Sequence, residues 1–382
     1  MSERGSQWRR MLDYWLGIPL VAASSLLRLR KASTLPSAFQ PRQIAFLCLG
    51  AIGDLLLLSS VITALRARLP SATITLITSR ANAAAAHLVP GLDYVCDFSL
   101  NQIDALIFFV RRLHCDIFFD ASQWARIGAL IANVSDAAYT VGFATKGQMR
   151  HFGYSIAVRH RSDQHEYKNF LDLGRALYPD LEGQPSLCLP SSHSESEAFS
   201  LAYAEKNAVY LHMWPSGICA ELKEWPAQSW ASLCQILTGA GYAVYLTGAP
   251  GDAEKNAAFL ARNPNPRVQS LAGLVSLGDL ALLFSRARAV VSVNTGIMHL
   301  AAIIGAPTVG LHGPTNPLRW GPWGPKVASL LPDHPDCAYL NLGFEYSSHH
   351  KPCMPYLSVA SVCQALFSFG LSVQAGSERS QP

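Results

Sequence analysis

From Gln43 onward the chain alternates short apolar strands with apolar helices, in two successive series, and this alternation restricts the fold to parallel β/α units. The first series opens with a continuous apolar run, Gln43–Leu49. Gly50-Ala51-Ile52-Gly53-Asp54 follows, and then the helical run LLLLSSVITALRARL. A strand (ATITLITS), a helix (ANAAAAHLV) and a further strand near Asp116–Phe119 come next. The second series has strands AVYLHM, YAVYLTG, AVVSVN and PTVGLHG, with helices opening near Gln228, Asp252, Leu277 and Thr295. Pro185–Ser200 is rich in Ser and Pro and reads as the connection between the series. At 382 residues the chain is too long for one ordinary core, so each series is expected to fold as its own domain. The divisions expected are 1–42, 43–190, 191–355 and a C-terminal helix and tail over 356–382. No short repeat is visible, so the halves are expected to be alike only as architectures.

Half of the residues are apolar and 15% are charged, which excludes a disordered chain. Residues 1–42 carry a net charge of +5 against +4 for the whole chain. The remainder is therefore close to neutral and offers no general nucleic-acid footprint. The nine cysteines are scattered, with no C-x-x-C pair, and several lie in apolar runs, as Cys48 and Cys234 do. That usage predicts reduced, packed thiols in a cytosolic protein. A zinc site from Cys337, His349, His350 and Cys353 is disfavoured by its irregular spacing.

The basic N-terminal segment reads WRRMLDYWLGIPLVAASSLLRLRK. Trp8, Met11, Leu12 and Trp15 fall on one helical stripe before Gly17 and Pro19 interrupt it. The apolar stretch Tyr14–Leu27 is shorter than the roughly 20 residues that span a bilayer. Basic residues continue past the faintly cleavable Ala22-Ala23-Ser24, which weighs against a signal peptide. Tryptophans beside arginines favour an amphipathic helix on an anionic membrane surface; the competing reading is a helix docked on the protein itself.

Open α/β sheets bind ligands in the crevice beyond the carboxyl ends of their strands, so strand ends hold the candidate chemistry. At Gly50–Asp54 the glycines Gly50 and Gly53 permit a tight turn, and Asp54 opens the helix. The loop is neither G-x-G-x-x-G nor a Walker A sequence, which weakens a dinucleotide or ATPase reading. Asp54 reads equally as a helix cap or as a carboxylate kept ionised for general-base work. At Asn294-Thr295-Gly296 a buried strand gives way to a helix whose unpaired N–H groups can meet a diphosphate, with His299 within reach. Capping explains Asn294 and Thr295 as well, and a lone histidine is ordinarily structural. Ser216 and Lys223 follow a third strand end in a loop able to touch phosphate, although a surface lysine is ordinarily only solvated.

Together these segments resemble the heptosyltransferase family, glycosyltransferase family nine, whose members transfer heptose from ADP-heptose onto lipopolysaccharide core. The resemblance covers roughly residues 43–370. It rests on Leu49–Asp54, Lys223-Glu224-Trp225-Pro226, Thr295–Ala302 and Gly313-Pro314-Thr315-Asn316-Pro317 with Gly321-Pro322-Trp323-Gly324. Weaker echoes are Asp120…Arg126, His165-Glu166…Leu171-Asp172-Leu173 and Cys353-Met354. The resemblance implies two Rossmann-like domains facing each other across a cleft (the GT-B type), preceded here by the amphipathic segment. It also implies inversion at the anomeric carbon without a metal or other cofactor. Asp54 would be the base, with Ser216, Lys223, Asn294, Thr295, Gly296 and His299 on the nucleotide-sugar. Gly50 and Gly53 would form the loop near both substrates, and Arg126 and His165 would lie on the acceptor side, with a salt bridge or surface role the equal alternative. Asp252 or Glu254 is a further candidate for the ribose, with plain solvation the competing account.

Three positions depart from the family pattern. Asn294 and Asn316 stand where aspartate is usual, and Cys48 where a cation is common. They leave ADP-heptose as the default donor. The partners implied are a nucleotide-sugar, a lipid-linked saccharide acceptor and the cytoplasmic face of the inner membrane. A same-family O-antigen or capsule transferase with another donor is the first alternative. A sugar-nucleotide epimerase and a binding protein with a degenerate pocket follow.

Overall fold

The alternation resolves into two sheets of six parallel strands, one in each of two units, Met1–Cys188 and Leu189–Pro382. The computed structural model describes residues 11, 13–25, 39–99, 101–217, 219–343, 345–346 and 351–373. In the first unit β1 (Gln43–Cys48), β2 (Thr73–Ser79), β3 (Tyr94–Phe98), β4 (Ile117–Asp120), β5 (Tyr139–Ala144) and β6 (Ile156–Arg159) lie in the order β3-β2-β1-β4-β5-β6. Register runs Gln43↔Thr73 on one side of β1 and Ile44↔Ile117 on the other. In the second unit β7 (Ala208–His212), β8 (Ala243–Thr247), β9 (Val268–Ser270), β10 (Ala289–Val293), β11 (Thr308–Leu311) and β12 (Val327–Leu330) lie in the order β12-β11-β10-β7-β8-β9. Both orders are the doubly wound one, with the strand order reversing between β1 and β4 and between β7 and β10.

The strands absent from the sequence reading have physical reasons for their weak signal. β3, β6 and β12 are edge strands, only partly buried, and β9 is a three-residue edge strand. Interior β5 is broken in pattern by Thr140 and Gly142. The glycine is needed because a Cβ there would stand 2.7 Å from Tyr154 Cε2. Ile52–Arg68 lacks an apolar stripe for the opposite reason: Leu55, Leu56, Leu57 and Leu58 are all fully buried, and the Glu166–Arg175 helix packs against it.

At the carboxyl end of β4, Asp120 is fully buried and ion-paired with the equally buried Arg150 at 2.5 Å. Tyr154 Oη donates to the same carboxylate at 2.7 Å, and the Ser122 N–H donates to its other oxygen at 2.9 Å. Arg150 also donates to the Ser122 carbonyl. Removing one partner of such a pair costs about 3–5 kcal/mol, because the other charge is left buried alone.

The N-terminal helix Gly17–Ser24 begins after a turn at Leu16 and keeps Pro19 within its first turn, where no N–H is needed. It docks on the Arg126–Val134 helix through buried Gly17 and Val21. Asp13 accepts from the Arg126 backbone at 2.8 Å and pairs with its guanidinium at 2.9 Å, and Asn133 Nδ2 donates to Ser24 Oγ at 2.7 Å. Met11, Tyr14, Trp15, Leu16 and Leu20 stay exposed. Docking by the helix and exposed apolar side chains, most of them on the segment just before it, thus coexist. Trp8, Leu12 and the basic residues Arg9, Arg10, Arg28, Arg30 and Lys31 lie outside the described residues.

Two sequence expectations are corrected in the second unit. Cys337 and Cys353 form a disulfide, so the expectation of nine reduced thiols holds for the other seven only. The bond also uses the two thiolates that the zinc reading required, while His349 and His350 lie outside the described residues. The repeat expectation also fails, since Gly248-Ala249-Pro250-Gly251-Asp252 at the end of β8 repeats the turn of Gly50-Ala51-Ile52-Gly53-Asp54. In both, the aspartate Oδ2 accepts the alanine N–H, at 2.9 and 3.1 Å. The C-terminal helix Val359–Ser368 packs on the Ala227–Gly239 helix and contributes Val362, Cys363 and Leu366 to the second core.

Gly128, on the Arg126–Val134 helix, faces the Asp120 carboxylate, and a Cβ there would lie 2.7 Å from the carboxyl carbon. Glycine-to-alanine within a helix ordinarily stabilises by about 1 kcal/mol. Crowding a carboxylate held from three sides costs about 1–3 kcal/mol or more. Gly128→Ala is therefore predicted to lower the thermal midpoint, and a raised midpoint would mean that the carboxylate can move aside.

Candidate active site

The strand-order reversal between β1 and β4 opens a crevice into which Gly50–Asp54 and Ala121–Arg126 both lead. Asp54 is the third residue of its helix and half-buried. Its Oδ2 accepts the Ala51 N–H, and Gly50 leaves it room, since a Cβ there would stand 2.9 Å from that oxygen. Fully buried Asn82 fixes the turn by donating to the Gly50 carbonyl at 2.5 Å. The other carboxylate oxygen accepts from Gln123 Nε2 at 2.9 Å. Sequence reading missed Gln123, as glutamine carries no motif and lies one strand away.

Behind Gln123 stands a buried cluster. The same Nε2 donates to Glu166 Oε1 at 3.1 Å, and His160 Nε2 lies 3.0 and 3.2 Å from the two Glu166 oxygens. Asn169 Nδ2 donates to Glu166 Oε2 at 3.0 Å. Thr145 Oγ1 donates to the Gln123 carbonyl and lies 3.2 Å from His160 Nδ1. Thr145 and His160 immediately follow β5 and β6, so adjacent parallel strands deliver the whole cluster to one end of the sheet.

The acceptor-side expectations are placed differently. Arg126 is 3% exposed, with Asp13, Gln148 at 2.9 Å and the Tyr14 ring at 5.0 Å around its guanidinium. It anchors the N-terminal helix and is not presented to solvent. His165 caps the Glu166–Arg175 helix, its Nδ1 accepting from the Tyr167 N–H at 3.3 Å.

In the second unit the reversal lies between β7 and β10, and it gathers the loops holding Ser216, Lys223, Asn294, Thr295 and Gly296. Lys223 Nζ donates to the Ser216 carbonyl at 2.9 Å across a loop whose Gly217 and Cys219 take left-handed φ of 89° and 48°. Desolvation lowers the Lys223 pKa, partly opposed by Cys219 and Glu221. Thr295 precedes the Gly296–Ile304 helix without capping it, its hydroxyl lying instead 3.4 Å from Ser292 Oγ. The first N–H groups of that helix are therefore left to other acceptors. His299 is 4% exposed and presents little surface to a ligand.

Asn294 Nδ2 donates to the Trp320 carbonyl at 2.8 Å and lies 3.4 Å from His312 Nδ1. A carboxylate at this position would face a carbonyl oxygen, so the amide is the side chain this pocket fits. Asn316 caps the Pro317–Trp320 turn by accepting from the Leu318 N–H at 3.0 Å, a task aspartate performs equally. Burial pushes His212, at the end of β7, down to about 4, which keeps it neutral near pH 7.

A sequence model of glycosyltransferase family 9 (heptosyltransferase) matches residues 116–339, more than half of the chain. The chain belongs to glycosyltransferase family 9. Lipopolysaccharide heptosyltransferase 1 of Pseudomonas aeruginosa is 35% identical over 139 residues, 36% of this chain and 38% of that protein. Lipooligosaccharide heptosyltransferase 2 of Haemophilus influenzae is 34% identical over 111 residues, 28% and 32% of the two chains. The matched stretches thus span 32–38% of these relatives' length. Among solved structures, Escherichia coli ADP-heptose lipopolysaccharide heptosyltransferase II superposes with a TM-score of 0.67 at 19% identity, covering 86% of this chain and 98% of its own. A family 9 glycosyltransferase from Veillonella parvula gives 0.70 at 18%, covering 88% and 99%. At these identities the likeness speaks to the fold.

Asn294→Asp, which restores the family's usual residue, is predicted to destabilise the second unit by about 1–3 kcal/mol at pH 7. The carboxyl's folded-state pKa would be raised by the carbonyl, so the loss is full above that value. It shrinks as pH falls and the protonated acid donates to Trp320. Urea unfolding at pH 7 and 4.5 reads both the loss and its sign.

Proposed function

We propose that this family 9 chain is an inverting glycosyltransferase that moves a sugar, by default heptose from ADP-heptose, onto a lipopolysaccharide core or related glycolipid acceptor. The observation that supports it most is Asp54. The carboxylate sits at the strand-order reversal of the first unit, with Ala51 N–H on one oxygen, Gln123 on the other and its side chain half in solvent. In this reading Asp54 takes the proton of the acceptor hydroxyl as that oxygen attacks the anomeric carbon. The carbon–oxygen bond to the diphosphate breaks, and its electron pair leaves with the nucleotide. Lys223 and the N-terminal N–H groups of Gly296–Ile304 neutralise the departing diphosphate. An arriving diphosphate adds to Cys219 and Glu221 in offsetting the desolvation of Lys223. No metal or cofactor has a part in this scheme.

Asp54→Ala is predicted to fold normally and to lose about 10²–10⁴-fold in transfer rate, while Lys223→Ala weakens nucleotide-sugar binding at an almost unchanged thermal midpoint. Near-parental turnover of the first variant would leave Asp54 as a cap alone. An ADP-, UDP- and GDP-sugar thermal-shift series separates ADP-heptose from an O-antigen or capsule donor. Conversion of the donor without acceptor would instead mark an epimerase.

The same reading places the protein on the cytoplasmic face of the inner membrane, held by residues 7–31 without crossing it. Among the described residues no helix is long and apolar enough to cross a membrane. The Gly17–Ser24 helix is anchored by one face, while Trp15 is 70% exposed on the segment leading into it. The disulfide Cys337–Cys353 is the one feature that a reducing cytoplasm does not favour. Each basic residue near an anionic surface adds about 1 kcal/mol. Trp15→Glu with Leu20→Glu, which leaves the Asp13–Arg126 anchor in place, is predicted to abolish sedimentation with phosphatidylglycerol vesicles. Binding by the parent should fall with salt and be weak on phosphatidylcholine. Equal pelleting of parent and variant would reduce the segment to a docked helix.

A further inference from the structure

We infer that Gln123 is the positioning residue for Asp54, and that the buried Glu166–His160 pair fixes the orientation of its amide. The inference rests on the reading of Asp54 as the base. One amide nitrogen stands between two carboxylates, 2.9 Å from Asp54 Oδ1 and 3.1 Å from Glu166 Oε1. Each carboxylate requires a donor, and only the NH2 end of the amide offers two protons, so the side chain has a single workable orientation. Main-chain anchoring repeats the constraint, because Thr145 Oγ1 donates its only proton to the Gln123 carbonyl.

That donation sets the proton positions around the circuit. With its proton committed, Thr145 Oγ1 accepts from His160, so Nδ1 carries a hydrogen. His160 Nε2 then faces Glu166, whose oxygens already accept from Gln123 and Asn169. One proton is therefore shared between Nε2 and Glu166, and the pair is neutral as a unit. Gln123, Glu166, His160 and Thr145 close a ring of hydrogen bonds with almost no solvent exposure. Because the ring carries no net charge, it orients the Asp54 carboxylate without a second negative charge that would favour its protonation. Ala51 N–H holds one oxygen and Gln123 the other, which confines the plane in which the carboxylate meets an acceptor hydroxyl. Misplacing a catalytic group by about 1 Å can cost on the order of 10²-fold.

The test uses the full chain with ADP-heptose and heptose-deficient lipopolysaccharide. Gln123→Met keeps the side-chain length and removes both donors. Gln123→Asn keeps an amide one methylene too short to serve both carboxylates, and it stands in if the methionine variant does not fold. Either is expected to lower kcat by about 10–100-fold, with KM for both substrates within about twofold of the parent. Neither should lower the rate further in an Asp54→Asn background. Parental kcat in these variants beside an inactive Asp54→Asn overturns the positioning role and leaves the base intact. A fully active Asp54→Asn overturns the base and the inference together. A loss of kcat matched by equal changes in KM and thermal midpoint also overturns it, since that is what a merely structural glutamine would give.

Discussion

Buried charge at a strand end has to be neutralised on the spot, and in the first unit this requirement organises everything that surrounds Asp54. Asp120 ends β4 inside the protein, so Arg150 and Tyr154 must meet it there; Gly142 leaves room for the Tyr154 ring and Gly128 for the carboxylate itself. The ion pair fixes the start of the Ala121–Arg126 loop, where the Ser122 N–H and carbonyl are both engaged. Gln123 follows one residue later and inherits that rigidity. A second buried pair, Glu166 with His160, fixes its side chain. Such pairs add little net stability, since desolvation offsets their attraction. What they contribute here is a single geometry for a loop that would otherwise be free.

The second unit repeats the strand order and solves its strand ends with neutral groups. His212 meets Thr247 Oγ1 at 3.0 Å and is held uncharged by burial, and His312 lies 3.3 Å from Thr315 and 3.4 Å from Asn294. Asn294, the departure from the family pattern, belongs to this neutral set, because its amide satisfies the Trp320 carbonyl. In the proposed reading, a diphosphate at the start of the Gly296–Ile304 helix would meet no fixed carboxylate at Asn294 to oppose it. The strand ends of the two units thus differ in kind: buried ion pairs surround Asp54 in the first, and neutral histidine, threonine and amide groups line the second.

What could be read in the sequence follows from what each residue does locally. The interior strands β1, β2, β4, β7, β8, β10 and β11 are continuous apolar runs and were legible. Strands β3, β6, β9 and β12, the four sheet edges, are short or half-exposed, and β5 hides behind Gly142. Asp54, Lys223 and Asn294 announce themselves through turns that glycine and helix starts make visible. Gln123, His160 and Glu166 do not, since their roles arise only when β4, β5 and β6 are laid side by side. For Arg126 the two readings stand level in the sequence, and the docked Asp13 decides for the salt bridge. The Cys337–Cys353 bond spans 16 residues with no spacing signature of its own.

Asp54 and Asp252 separate capping from catalysis more sharply than either does alone. Each ends the same five-residue turn, and each returns one carboxylate oxygen to an alanine N–H. Sequence and local geometry are nearly identical, so neither can distinguish a base from a cap. The difference lies in the strand that each turn follows. Asp54 follows β1, at the reversal of strand order, where β4 brings Gln123 to the second oxygen. Asp252 follows β8, one strand away from the reversal between β7 and β10. Capping is thus shared by both positions and compatible with catalysis at one, because the bond to Ala51 stabilises the ionised carboxylate that a base requires. In the reading of Asp54 as the base, it is topology, acting through a glutamine on a neighbouring strand end, that distinguishes it from Asp252.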